Sequence, residues 1–147
     1  MFYKIYSLSA KKLEVKQITA AETLQIRHTV MWPTKPISYV KLQNDKNGIH
    51  FGLFVNNQLT SIISLFEEDK VFQFRKFATL KEYQGLGYGS ILLEKIIAII
   101  KNENATKLWC NAREGKIKFY KKFGLKPTNK KFKKGEINYV IMEQLYN

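Results

Sequence analysis

The sequence predicts an α/β chain of the α+β kind, built on a mixed, mostly antiparallel central sheet of about six or seven strands flanked by helices. Three observations predict it. Ile49–Val55, Leu59–Phe66 and Val71–Thr79 are rich in β-branched and aromatic residues and are separated by short turn signals, which reads as an antiparallel meander. Val71–Thr79 then passes through a glycine-rich connection into a long apolar helix ending near Lys101. That helix leads to another strand, Lys107–Asn111, and a strand reached through a crossover helix lies parallel to the one before it.

Taken in order, Met1–Ser9 reads as an added strand or an ordered arm, and Leu13–Ile18 as a first strand by its weak alternation. Thr19-Ala20-Ala21-Glu22 is a capping box, so a helix runs from Ala20 to about Val30 with Leu24, Ile26 or Arg27, and Val30 near its buried side. Met31-Trp32-Pro33 ends it, because proline disfavours helix in the residue before it. Thr34–Asp45 is a flexible connection with a short helix around Ser38–Leu42, and Asn44-Asp45-Lys46-Asn47-Gly48 is a turn. Asn56-Asn57 makes a hairpin, and Glu67-Glu68-Asp69-Lys70 the next reversal. On Val71–Thr79, strict alternation puts Gln73, Arg75, Phe77 and Thr79 on one face. Asn102–Thr106 is a loop. Gly115–Phe123 is a second helix with Gly124 as its C-cap. Leu125–Lys131 and Ile137–Leu145 close the sheet as a hairpin through Lys133-Lys134-Gly135-Glu136.

The stretch that carries chemistry is Gln84-Gly85-Leu86-Gly87-Tyr88-Gly89, with Ser90 opening the helix. Glycines let the backbone approach a ligand and adopt positive φ. The first N–H groups of a helix have no internal partner, and the helix dipole favours negative charge there, so a phosphate or diphosphate is the natural guest. A Walker loop would need a Lys-Ser/Thr pair, which Tyr88-Gly89-Ser90 lacks. A dinucleotide fingerprint would need G-x-G-x-x-G, and the spacing here is Gly85-x-Gly87-x-Gly89. The stretch resembles instead the signature of the GNAT superfamily of acetyl-CoA-dependent N-acetyltransferases, Gln/Arg-x-x-Gly-x-Gly/Ala, with Gln84, Gly87 and Gly89 filling it. The resemblance implies that Gln84, Gly85, Leu86, Gly87, Tyr88, Gly89 and Ser90 hold the pyrophosphate of coenzyme A. A tight glycine turn without a ligand is the plainer alternative, and the strand before and helix after weigh against it.

A second stretch is also similar to that superfamily. Asn111 stands on a strand, in Trp109-Cys110-Asn111-Ala112-Arg113. Tyr120 stands on a helix shortly before Gly124-Leu125, with Lys116 or Ile117 where a small residue is usual. Arg27, Trp32-Pro33 and His50-Phe51-Gly52 resemble uncharacterised bacterial members. The resemblance implies a splay between the two parallel central strands. Phe77, Ala78 and Thr79 would bind pantetheine there and polarise the acetyl oxygen, Asn111 would hydrogen-bond the pantetheine arm, and Thr34–Asp45 would roof the acceptor site. Transfer would proceed by direct attack of the amine. Tyr120 is the candidate general acid, since a phenol with a pKa near ~10 is protonated at neutral pH; a core aromatic bonded to a carbonyl is the alternative. For the base, Glu67, Glu68, Asp69, His28 and His50 are candidates, a structural hydrogen bonder being the commoner role of a lone histidine. Arg75 would face acceptor or cofactor, or pair with a carboxylate. Cys110 reads as a buried small hydrophobe rather than a nucleophile, and there is no metal-ligand spacing.

Residues 1–147 read as one domain, and 45% apolar with 14% aromatic content is globular rather than disordered. No apolar run reaches the ~18 residues of a membrane span, and no signal peptide is recognisable. The single Cys110 suits a reducing cytoplasm. The net charge of +13 rests on lysine, with clusters at Lys121-Lys122, Lys130-Lys131 and Lys133-Lys134. Lysine reads bases poorly, so a solvated surface that steers an anionic cofactor is preferred over nucleic-acid binding. The expected acceptor is a small-molecule or protein amine, and a homodimer is compatible with the chain. Two other classes stay open: a non-catalytic acyl-CoA-binding module and a basic nucleic-acid-binding domain.

Overall fold

The capping box of Thr19 forms as its spacing requires: the Thr19 hydroxyl accepts from the Glu22 N–H at 3.2 Å, and the Glu22 carboxylate accepts from the Thr19 N–H at 2.9 Å. It opens α1 (Ala20–Ile26) in the computed structural model of the chain, which describes residues 11–147; the strand or arm expected at Met1–Ser9 lies outside the described residues. The helix does not run on regularly to Val30. It widens into a π turn over Arg27–Met31 before Trp32-Pro33 ends it. The buried side carries Thr23, Ile26 and Arg27, whereas Leu24 is only half-buried.

Among the described residues seven strands form one sheet: β1 (Leu13–Ile18), β2 (Ile49–Val55), β3 (Gln58–Glu68), β4 (Val71–Thr79), β5 (Lys107–Arg113), β6 (Lys126–Lys134) and β7 (Ile137–Leu145), in the order β1-β2-β3-β4-β5-β7-β6. Every neighbouring pair is antiparallel except β4 with β5, the pair joined by the long helix. The hairpins Asn56-Asn57 and Asp69-Lys70 place both turn residues at positive φ, the primed geometry that matches strand twist. Because both turns use two residues, β3 reaches Glu68, further than its expected end at Phe66. Likewise β6 continues through Lys134 and turns at Gly135-Glu136, with Gly135 at φ 61°. Among the described residues β1 and β6 are the two outer strands. β6 is exposed along nearly its whole length, with an irregularity between Pro127 and Lys131.

α2 (Tyr88–Asn102) begins two residues before the expected Ser90. Its Leu92, Leu93, Ile96 and Ile100 pack with Leu53, Ile63, Leu65, Phe72, Phe74 and Leu108 of the sheet. Each such side chain contributes roughly 1.5–3 kcal/mol by leaving water. Ile91 is 38% exposed, so α2 is buried along one face rather than all round. On the opposite face of the sheet, Ile18, Ile26, Ile62 and Ala78 form a smaller cluster. α3 (Ile117–Lys121) is shorter than the expected Gly115–Phe123. A 3₁₀ turn, Glu114–Lys116, precedes it, and tighter bonds such as Phe123 N–H to the Tyr120 carbonyl end it before Gly124 at φ 91°. Among the described residues no helix is long and apolar enough to cross a membrane.

Candidate active site

The centre of the sheet opens where its parallel pair lets go. β4 and β5 share three register pairs, Val71 with Lys107, Phe72 with Leu108 and Gln73 with Trp109, and none beyond. From Phe74 onward β4 has no strand partner on its β5 side, while β5 stays paired to β7 as far as Arg113. Buried main-chain groups need partners, so an opened strand edge of this kind is a binding surface for an extended polar chain.

A bulge re-aims β4 at the same place. Ser64 pairs with Arg75 and Ile62 with Ala78, so Ile63 faces two residues, Lys76 and Phe77. Lys76 takes up the extra residue at φ 53°, an unusual angle for a side chain with a Cβ. The expectation that Gln73, Arg75, Phe77 and Thr79 share a face is therefore wrong. Past the bulge Phe77 joins Phe74 in the α2-side core, with ring centroids 6.0 Å apart, while Ala78 joins the α1-side cluster. No residue type in Val71–Thr79 announces the bulge, which is why strict alternation missed it.

At the end of β4 the side chains are braced. The Ser61 hydroxyl contacts the Thr79 hydroxyl at 2.8 Å and donates to the Ala78 carbonyl, and the Gln84 side-chain amide donates to the Thr79 carbonyl at 2.9 Å. Gln84 thus fastens the glycine loop to the strand. Gly85 and Gly87 sit at φ 78° and 87°, and beyond its chain neighbours no described atom would lie within 4 Å of a Cβ at either, so backbone angle and open space, not crowding, set the glycine requirement. Gly87 is the N-cap of α2, no side chain caps the helix, and its first turn holds no acidic residue. The N–H groups of Tyr88, Gly89 and Ser90 are thereby left for an anion. The Tyr88 ring is buried in the core, so only its backbone serves the loop. These features fit a diphosphate followed by an amide-bearing arm.

The loop and the splay share one cleft of about 810 Å³. Phe77, Ala78, Thr79, Gln84, Gly85, Gly87, Tyr88, Gly89, Ser90, Asn111 and Tyr120 all line it; Leu86, 58% exposed, does not. Tyr120 packs against Phe74, Phe77 and Phe119, and no hydrogen bond ties its hydroxyl to another described residue. Burial pushes its pKa above the ordinary tyrosine value, the neighbouring Cys110 adds to this, and Arg113 opposes it. Burial also pushes the Cys110 thiol up to about 12, so it is a neutral thiol at pH 7, in keeping with a packing role.

None of the five candidate bases lines the cleft. Glu67, Glu68 and Asp69 border a separate depression at the β3–β4 turn. The His28 ring contacts the Lys35 carbonyl at 2.6 Å. His50, 4% exposed, has both ring nitrogens engaged, by the Ser64 hydroxyl at 2.7 Å and the Asp45 carbonyl at 2.9 Å. It belongs to a network around Arg27, which is fully buried, forks onto the Asp45 carboxylate at 2.8 Å, and donates to the Val40 carbonyl and the Ser64 hydroxyl. Thr34–Asp45 is thus pinned by Arg27 through Val40 and Asp45 and contributes no residue to the cleft. Val30 and Met31 of the π turn line it instead.

The ionisable lining is all basic or phenolic apart from the Cys110 thiol. Arg75, Lys76, Lys81, Arg113 and Lys116 border the cleft, and among the described residues no carboxylate or imidazole does. Burial, then the charges of Arg27, Arg75 and Lys134, lowers the Lys76 pKa to about 8. Burial, then Arg27, also lowers that of Arg75. Lys76, Arg113, Lys116 and Tyr139 were not foreseen as site residues. Only the positively charged composition hinted at the three cations, and nothing in the sequence marked Tyr139.

The comparisons agree with this geometry. Residues 16–125 match the model of the Acetyltransferase (GNAT) family. The uncharacterised N-acetyltransferase YitI of Bacillus subtilis is 31% identical over 140 residues, covering 88% of this chain and 94% of the relative. A GNAT family acetyltransferase from Elizabethkingia anophelis, solved with acetyl-CoA bound, superposes with a TM-score of 0.72 at 17% identity, over 91% of this chain and 98% of that one. The ribosomal-protein-S18-alanine N-acetyltransferase from Escherichia coli superposes with a TM-score of 0.75 at 15% identity, over 91% and 94%. A mixed sheet splayed at its parallel pair and a glycine loop opening a helix thus accompany a family match across most of the sequence, and the chain belongs to the GNAT family of acetyltransferases.

Proposed function

We propose that this acetyltransferase moves the acetyl group of acetyl-CoA onto a primary amine of a small molecule or protein by direct attack, with Tyr120 as the general acid. The observation that carries the reading is the joining of the uncapped start of α2, the open edge of β4 and Tyr120 in one cleft. Acetyl-CoA supplies an acyl group activated as a thioester. Main-chain N–H groups from Gly85 to Ser90 hold its diphosphate. The unpaired edge of β4 at Phe77–Thr79 and the exposed side chain of Asn111 orient the amide-bearing arm. A main-chain donor aimed at the thioester oxygen contributes about 3 kcal/mol as negative charge builds there. The C–N bond forms as the C–S bond breaks; the sulfur takes a proton from the Tyr120 hydroxyl, and the amine gives one up to water. With no carboxylate or imidazole lining the cleft, positive surroundings do part of the work of a base, because nearby cations favour the neutral form of an amine.

Thiol release over an amine panel, with acetyl-CoA binding followed separately by thermal stabilisation, tests this. The reading expects both; stabilisation without thiol release over a broad panel would leave only an acyl-CoA-binding module. Gly87→Val separates site from fold. No protein atom obstructs its Cβ, so the variant loses about 1–2 kcal/mol of stability from backbone angle yet should lose acetyl-CoA binding.

A further inference from the structure

We propose that the acceptor is a small amine carrying its own oxyanion, a carboxylate or a phosphate, bound at Arg75 and Lys76; this rests on the acetyl-transfer reading above. Three of the five cations of the cleft, all near β4 in the chain, divide by position. Lys81 stands beside the glycine loop in the chain, where the diphosphate is assigned. Arg75 and Lys76 stand at the opposite end of the splayed segment, upstream of Thr79 by about 10–13 Å of extended strand. The uncharged arm of the cofactor would lie between, so the diphosphate cannot serve both ends.

Arg75 is half-buried, and none of the ion pairs among the described residues includes it or Lys76. The carboxylate whose charge bears on both, Asp45, is already forked by Arg27. The bulge aims this unpaired pair into the cleft beside Val30, Met31 and Tyr139. A half-buried guanidinium without a partner is costly, and its planar fork suits a carboxylate or a phosphate. A polyamine or another polycation would meet five like charges and no carboxylate.

The test uses matched acceptors at fixed acetyl-CoA, scored by thiol release: α-amino acids against their α-amides, glucosamine 6-phosphate against glucosamine, and spermidine. One anionic series should exceed its neutral partner at least about tenfold in kcat/KM, and which series does so tells carboxylate from phosphate. In Arg75→Gln that anionic-to-neutral ratio should collapse toward one, and Arg75→Lys should restore it in part. A general loss of folding or chemistry cancels in the ratio. Neutral amines or spermidine turned over as well as the anionic members, or a ratio unmoved by Arg75→Gln, would overturn the proposal. If no amine releases thiol, a binding readout decides it: with coenzyme A saturating, succinate and inorganic phosphate are titrated by calorimetry. Binding of either by the wild type that Arg75→Gln weakens about tenfold supports the anion site even as the catalytic reading fails. Absence of binding by both anions overturns it.

Discussion

Burial and aromatic packing hold the Tyr120 ring, while no described residue takes its hydroxyl. Tyr120→Phe should lower kcat by about 10²–10⁴-fold and leave acetyl-CoA affinity nearly unchanged; unchanged turnover would remove the residue from the mechanism. Since its pKa is pushed above the ordinary tyrosine value, the hydroxyl should keep its proton on the alkaline side of the rate profile, and any alkaline loss up to pH ~10 belongs to another group. Lys76 is a residue where stability and site conflict. Its folded pKa, about 8, lies below the ordinary lysine value of 10.5, so the unfolded chain binds the proton more tightly. Its cost is therefore full below pH 8 and shrinks as pH rises from 8 to 10.5. Lys76→Gly also relieves the positive φ. It should stabilise the protein by about 1–2 kcal/mol at pH 7 and by less at pH 10, compared with wild type in urea melts at both values. Equal gains at both pH values would show that backbone angle alone is responsible.

Among elements, the glycine loop and the parallel β4–β5 pair were legible because each has a local signature: three glycines between a strand and an apolar helix, and a crossover that forces direction. The capping box of α1 was legible for the same reason. The π turn at Arg27–Met31 and the bulge at Lys76 were not, because both arise from long-range demands that no single residue type marks. Arg27 must reach Asp45, and Phe77 must join Phe74. His50 illustrates the limit. Its sequence neighbourhood could not tell a base from a brace, and only the contacts with Ser64 and Asp45 decide it. The Arg27–Asp45 pair ties α1 to the connection before β2. Burial alone would raise the Asp45 carboxyl, but hydrogen bonds from Arg27 and Leu42 and the guanidinium charge hold it below the ordinary carboxylate range. Its contribution is therefore present above pH ~4 and lost as pH falls below that. Asp45→Ala should cost about 3–5 kcal/mol at pH 7, since a buried guanidinium loses its partner. The deficit relative to wild type should narrow by pH 3, as acid melts would show; a constant deficit would count against the ion pair as its source.

Over the whole molecule, the charge of +13 and the basic cleft act together on an anionic cofactor. The association rate of acetyl-CoA should fall severalfold between about 20 and 300 mM salt, while the rate of dissociation changes less; stopped-flow traces at several salt concentrations would check this. A salt-insensitive association rate would return the lysines to mere surface decoration. β6 gives part of that excess a different purpose. Among the described residues β6 ends the sheet, and an end strand offers its backbone as a template on which another copy could zip. Lys130, Lys131, Lys133 and Lys134 line that rim, Pro127 removes one donor from it, and the kink after Pro127 breaks its straightness. The rim is thus guarded against fibre-like stacking, and any pairing of two copies would have to be sought on other faces of the molecule.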